Sequence, residues 1–142
     1  MSRITLQPCF VLHSKPFRNT SVIVDAFSRD YGRVVLVARG VRNRKRGEAN
    51  AVEPFRPMLY SWQGRGEMYT LTASEEAEQA PVLRRLQGEA LYCGYYVNEL
   101  LLSLLARDDP HTDVFSLYES TIASLDDQDS EREISLRKFE IG

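Results

Sequence analysis

The chain has 142 residues, of which 43% are hydrophobic and 27% charged, and its formal net charge is −2. That is enough for one ordinary core, or for one small domain plus part of a second, and it argues against intrinsic disorder. No run approaches the roughly 18–20 apolar residues of a membrane span, and Met1-Ser2-Arg3-Ile4 opens straight into strand-like sequence without a signal-peptide apolar region, so a cytosolic protein is expected. Cys9 and Cys93 form no CxxC pair; they support neither a disulfide framework nor a zinc site, and both read as buried small hydrophobes.

From Ile4 to Leu71 short strands alternate with turns. The first strand is expected over Leu6 to Leu12, ending at His13-Ser14-Lys15-Pro16. Thr20 to Phe27 and Arg33 to Arg39 are β-branched and partly alternating, and Asp30-Tyr31-Gly32 between them is a hairpin connection in which Gly32 is available for positive φ. A fourth strand, Phe55 to Trp62, is joined by Gly64-Arg65-Gly66 to a fifth over Glu67 to Thr72. Pro54 and Pro57 cannot donate to a ladder, which puts the start of the fourth strand at an edge or on a bulge. Five short antiparallel strands in about 70 residues fit a small closed or partly open barrel; the OB-fold is the five-stranded member of that class, and an SH3-like barrel fits the count almost as well.

After the acidic, turn-like Ala73-Ser74-Glu75-Glu76 the period becomes helical. Ala90, Gly94, Val97, Leu101, Leu104 and Leu105 form one face, and Leu91, Tyr95 and Leu102 make much of the other side apolar, so this helix should be central to a bundle, with Gly94 allowing a close neighbour. A second helix takes Asp109 as N-cap and Pro110 in its first turn, and carries Val114, Tyr118, Thr121, Ile122 and Leu125. Ser130-Glu131-Arg132-Glu133 is a capping box opening a third helix over Ile134 to Ile141. The expected fold is α+β in two segments: an antiparallel five-stranded barrel over residues 1–78 and an all-α part over 79–142. A central apolar helix with two short partners is under-covered, and the polypeptide is therefore expected to be a truncated form of a longer protein.

Charge is distributed unevenly along this plan. Residues 1–72 hold 12 Lys+Arg against 5 Asp+Glu, whereas residues 73–142 hold 6 against 15. Five of the cations (Arg39, Arg42, Arg44, Lys45 and Arg46) fall within eight residues, and the first acid after them is Glu48. Such a run is either a solvated loop or half of a contact with a polyanion, and arginine supplies bidentate forks that suit phosphate. Arg33, Arg56 and Arg65 would extend the patch, and Phe17, Tyr31, Tyr60, Trp62 and Tyr69 are candidate platforms for stacked bases, although aromatics in short strands more often fill cores. His13-Ser14 and His111-Thr112-Asp113 are the only acid/base combinations; without GxSxG, a phosphate-cradling loop or a metal-ligand cluster, no catalytic residue, metal or cofactor is expected.

Seven segments in order along the chain, Phe10–Pro16 (FVLHSKP), Asp30–Arg33 (DYGR), Leu36–Arg42 (LVARGVR), Pro54–Pro57 (PFRP), Gly64–Glu67 (GRGE), Tyr96–Leu102 (YVNELLL) and Leu136–Glu140 (LRKFE), resemble the bacterial RecO family of recombination mediators. The resemblance implies an N-terminal OB-fold followed by a helical domain, binding of single- and double-stranded DNA, annealing of complementary strands, and partnership with RecR. It also implies help in loading RecA onto single strands coated by single-stranded-DNA-binding protein (SSB), in a cytoplasmic, nucleoid-associated setting. On the same basis Arg39, Arg42, Arg44, Lys45 and Arg46 stand where the family presents cations to DNA. Arg137 stands where an arginine receives the acidic C-terminal tail of SSB, with Lys138 replacing a second arginine. The zinc site of some members falls in a region absent here and does not carry over. An RNA-binding OB module without annealing activity is the alternative, separable by comparing ribose and deoxyribose oligomers of one sequence.

Overall fold

A computed structural model describes residues 2–39, 52–66, 68–77 and 88–125; most of the basic cluster (Arg42, Arg44, Lys45 and Arg46) and the whole third helix lie outside them. The strands are β1 (Ser2–Phe17), β2 (Ser21–Ser28), β3 (Gly32–Ala38), β4 (Met58–Gly64) and β5 (Tyr69–Glu76), closed into a barrel in the order β1-β2-β3-β5-β4. Every ladder is antiparallel except the short parallel pairing of β3 with β5 at Leu36–Tyr69 and Val37–Thr70. This is an OB-type barrel, as expected.

β1 is far longer than the sequence suggests because it serves two neighbours in turn. Its first half pairs with β4, from Ser2–Gly64 to Cys9–Met58, and its second half with β2, from Cys9–Ser28 to Phe17–Ser21. One strand does both by bending at two irregularities. At the first, between Ile4 and Gln7, Leu6 takes φ +49° and its amide donates to Ser61 Oγ at 2.9 Å. The second lies between Val11 and His13, so His13 to Pro16 continue the strand instead of ending it. β4 in turn begins only at Met58, after both prolines, and Ser74-Glu75-Glu76 are the end of β5, paired with Tyr60, Leu59 and Met58, not a turn.

Strand alternation divides the apolar residues between two cores. Cys9, Val11, Val22, Val24, Ala26, Val34, Leu36, Met58, Tyr60 and Trp62 fill the barrel, and burial pushes the Cys9 thiol and the Tyr60 hydroxyl to higher pKa. Phe10, Leu12 and Phe27 point the other way and meet two helices, α1 (Glu89–Leu104) and α2 (Thr112–Ser124). There Phe10 and Phe27 interlock with Phe115 and Tyr118 of α2, with ring centroids 5.1–6.1 Å apart and mostly edge-to-face. The segment before β4 joins the cores: Val52 packs on the barrel interior and Phe55 on the helices, its ring 5.3 Å from Tyr95.

α1 buries Ala90, Gly94, Val97, Asn98 and Leu101, while Tyr92, Tyr95, Tyr96 and Leu104 are exposed, so among the described residues it lies against the barrel and α2 and is not enclosed on all sides. α2 starts at Thr112 with His111 in the capping position, later than the Asp109–Pro110 start expected, because Asp108 and Asp109 are held against the barrel. Asn98 ties three elements together: its Nδ2 donates to the Leu12 carbonyl at the second irregularity of β1 (3.1 Å), and its Oδ1 accepts from the Tyr118 hydroxyl (2.6 Å). No buried side-chain polar atom is left without a partner among the described residues.

Candidate nucleic-acid interface

Several of the described cations stand at the two ends of the barrel. Arg39 directly follows β3, is exposed, and leads into the basic run. Ala38 pairs with Val22 and Val22 with Pro16, so the β1–β2 turn shares this end. Lys15, Ile23 and Val37 are in register across three strands, and Arg39, two residues beyond Val37, continues their face. Lys15 is exposed, and Arg18, at φ +56° in the turn, lays its guanidinium over the Phe17 ring at 5.0 Å. Lys15 and Arg18 were not picked out from the sequence; isolated cations carry no pattern until strand register sets them at the barrel end where Arg39 stands.

Arg65 is exposed in the β4–β5 connection at the opposite end, next to Arg3, whose Nη2 donates to Gln63 Oε1 at 3.3 Å. Among the described residues neither Arg39 nor Arg65 is ion-paired. Arg33 and Arg56 have other work. The Arg33 side chain is only 17% exposed; its Nε donates to Asp25 Oδ1 at 2.9 Å and its Nη1 to the carbonyls of Leu102 (3.1 Å) and Leu105 (3.0 Å). Those are carbonyls at the C-terminal end of α1, which has no basic residue of its own in its last turn, so a strand of the barrel supplies the missing cation. Arg56 is paired with Glu53 at 3.8 Å and with Glu76.

The aromatic candidates separate equally clearly. Tyr60 and Trp62, 0% and 1% exposed, point into the barrel and cannot receive a base. They face inward because β4 alternates from Met58, whose side chain is also in the core. Tyr69 is half-buried, 6.4 Å from Trp62 between ring centroids, and donates its hydroxyl to Asp108 Oδ1 at 3.0 Å; burial and then that bond raise its pKa. Tyr31 is 43% exposed and stands edge-on to Trp62, centroids 5.9 Å apart. Beside it the Arg29 guanidinium holds the Asp30 carboxyl below the usual carboxylate range. No group of metal-ligating side chains exists among the described residues, and none of their helices is long and apolar enough to cross a membrane.

A closed five-stranded OB-type barrel, with helices packed on one outer face and exposed arginines at both ends, places the chain in the class of OB-fold proteins. Residues 1–80 match the family model described as "Recombination protein O N terminal", and residues 85–142 match "Recombination protein O C terminal". The chain belongs to the RecO family. Proteins named "DNA repair protein RecO" are 47% identical in Nitrosococcus oceani, over 97% of this chain and 54% of the relative, and 45% identical in Dechloromonas aromatica, over 98% and 57%. One in Alkalilimnicola ehrlichii is 49% identical over 97% of this chain and 52% of its own length. The chain thus spans about half the length of the curated relatives it matches.

Proposed function

We propose that this chain is a non-catalytic DNA-binding part of a DNA-repair protein: residues 1–78 hold DNA through the barrel and residues 79–142 form the helical segment beside it. The carrying observation is Arg39, exposed and without an ion pair among the described residues, at the start of an acid-free run of cations and at the same barrel end as Lys15 and Arg18. Cations so arranged attract sugar-phosphate chains without reading bases. With Arg42, Arg44, Lys45 and Arg46 they would screen the repulsion between two strands, so that complementary strands pair. Arg65 adds a contact at the other end, whereas Arg33, committed to Asp25 and α1, is left out of the contact set. Membership of the RecO family supports the wider reading, which is cytoplasmic and nucleoid-associated: partnership with RecR and loading of RecA onto SSB-coated single strands.

If about five cations touch single-strand phosphates, log K falls against log salt with a slope near −3.5, at roughly 0.7 per contact. Replacing Arg42, Arg44, Lys45 and Arg46 by alanine is expected to weaken binding to every sequence and to flatten that slope toward about −0.7. A salt titration by fluorescence anisotropy decides; an unchanged slope removes the cluster from the site.

The reading also assigns the acidic C-terminal tail of SSB to Arg137, with Lys138 beside it, since a carboxylate is a natural partner for a guanidinium. Arg137→Ala is expected to lower affinity for an SSB tail peptide about tenfold or more, as loss of one charge-assisted hydrogen-bonded pair does, with DNA affinity unchanged. Equal peptide affinity in the variant and the parent, by calorimetry, would refute this assignment.

A further inference from the structure

At the barrel end opposite Arg39, the β2–β3 turn and the β4–β5 connection surround the mouth that Trp62 closes from within. Tyr31 sits over that residue with 43% of its surface exposed. Its turn is anchored on both sides: Gln7 Oε1 accepts from the Asp30 amide at 2.7 Å while Gln7 Nε2 donates to Asp30 Oδ2 at 3.2 Å, and the Tyr31 amide donates to Ser28 Oγ at 3.2 Å. Leu6 and Met68 are 45% and 40% exposed. The first adjoins Gln7 in the chain and the second adjoins Tyr69, whose ring also meets Trp62. Arg3 and Arg65 stand on the neighbouring strand end and connection, without ion pairs among the described residues, while the one acid in the turn, Asp30, is neutralised by Arg29 at 3.1 Å. Asp108, another carboxylate among the described residues, accepts the Tyr69 hydroxyl.

We propose that Tyr31 is a stacking platform for one unpaired base of single-stranded DNA, with Arg3 and Arg65 holding the phosphates on either side. A rigid, exposed ring has the geometry a nucleobase face requires, and it is preorganised here by the Trp62 contact and the Gln7 clasp, so little ordering is lost on binding. Apolar Leu6 and Met68 would cover the base edges that leave water. The basic cluster holds backbone of either single or double strands; this mouth accepts only a base that is not already stacked within a duplex, and so selects the form of DNA that has yet to be paired. The inference rests on the DNA-binding reading above and adds a base contact at the other end of the barrel.

Affinities for oligo(dT) and for a hairpin duplex, each across a salt series, test it. Tyr31→Ala should bind oligo(dT) about tenfold more weakly, the loss of one base–aromatic stack, with an unchanged salt slope and an unchanged duplex affinity. Tyr31→Trp should restore single-strand binding. Trp62 is the only tryptophan in the chain, so oligo(dT) should also alter its emission in the parent and not in Tyr31→Ala. Parental affinity for oligo(dT) in Tyr31→Ala, or equal losses for single strand and duplex, would overturn the stacking site. The four-alanine variant of the basic cluster, run in parallel, separates the two proposals: its loss of binding beside an unaffected Tyr31→Ala removes only the platform, whereas parental binding in both removes the basic cluster from the site as well, and no DNA binding by the parent itself removes the reading on which both rest.

Discussion

Trp62→Ala is expected to destabilise the protein by about 3–5 kcal/mol, the usual cost of deleting a large aromatic from a well-packed core. Trp62 is 1% exposed, shares the barrel interior with Tyr60, Met58 and Leu36, and supports Tyr31 and Tyr69 from beneath. It is paired on both sides, with Ile4 of β1 and Leu71 of β5, so the cavity cannot collapse without disturbing both ladders. Urea unfolding followed by circular dichroism measures the loss, and Trp62→Phe, which keeps a ring in place, should cost less than about 2 kcal/mol. The same pair addresses function: Trp62→Phe should bind single strands close to parental strength where it is folded, because the indole touches no DNA. A stable Trp62→Ala variant would mean that the barrel closes differently from the structure described.

Gly32→Ala is expected to cost on the order of 2–3 kcal/mol, from two penalties that act at once. Gly32 has φ +73°, where a Cβ is strained, and an added Cβ would lie 2.2 Å from the Asp109 carbonyl oxygen and 2.5 Å from its carbon. Both atoms are backbone, so no rotamer relieves the contact. The Asp109 segment is held in turn, since the Asp108 amide donates to the Arg33 carbonyl at 2.7 Å and Arg33 grips the end of α1. The variant must therefore push the α1–α2 connection off the barrel or distort the hairpin. Thermal unfolding tests this, and amide hydrogen exchange should show the Asp108 amide losing protection; a melting temperature within a degree of the parent would show that the connection yields without cost.

Much of the barrel was legible in the sequence. Alternation in Ser21–Ser28 and Gly32–Ala38 and the DYG turn specify a hairpin, because side chains two residues apart share a face and glycine alone accepts the turn conformation without strain. The periodic apolar residues of both helices were legible for the same local reason, except Leu104, which was expected on the packed face and is exposed in the last turn of α1. β1 was not, since its length comes from serving two neighbours, and a strand that bends between partners leaves no signal in its own residues. Glu75 and Glu76 read as a turn because their acidity is local, whereas their place in β5 depends on β4 lying alongside.

The candidate site divides along the same line. Composition by itself determined that the N-terminal half is cationic and that its cations concentrate after β3, because charge is a property of residues and not of their arrangement. Only the tertiary structure decided what each described cation and aromatic ring does. Arg33 lies in β3 and Arg39 directly follows that strand six residues later, yet one is held by a carboxylate and the end of a helix while the other is exposed at the barrel end. Tyr31 and Trp62 both read as stacking rings, and closing the barrel buried one and left the other standing over it. Exposure and charge compensation arise from contacts between residues distant in sequence, and such contacts exist only once the chain has closed on itself.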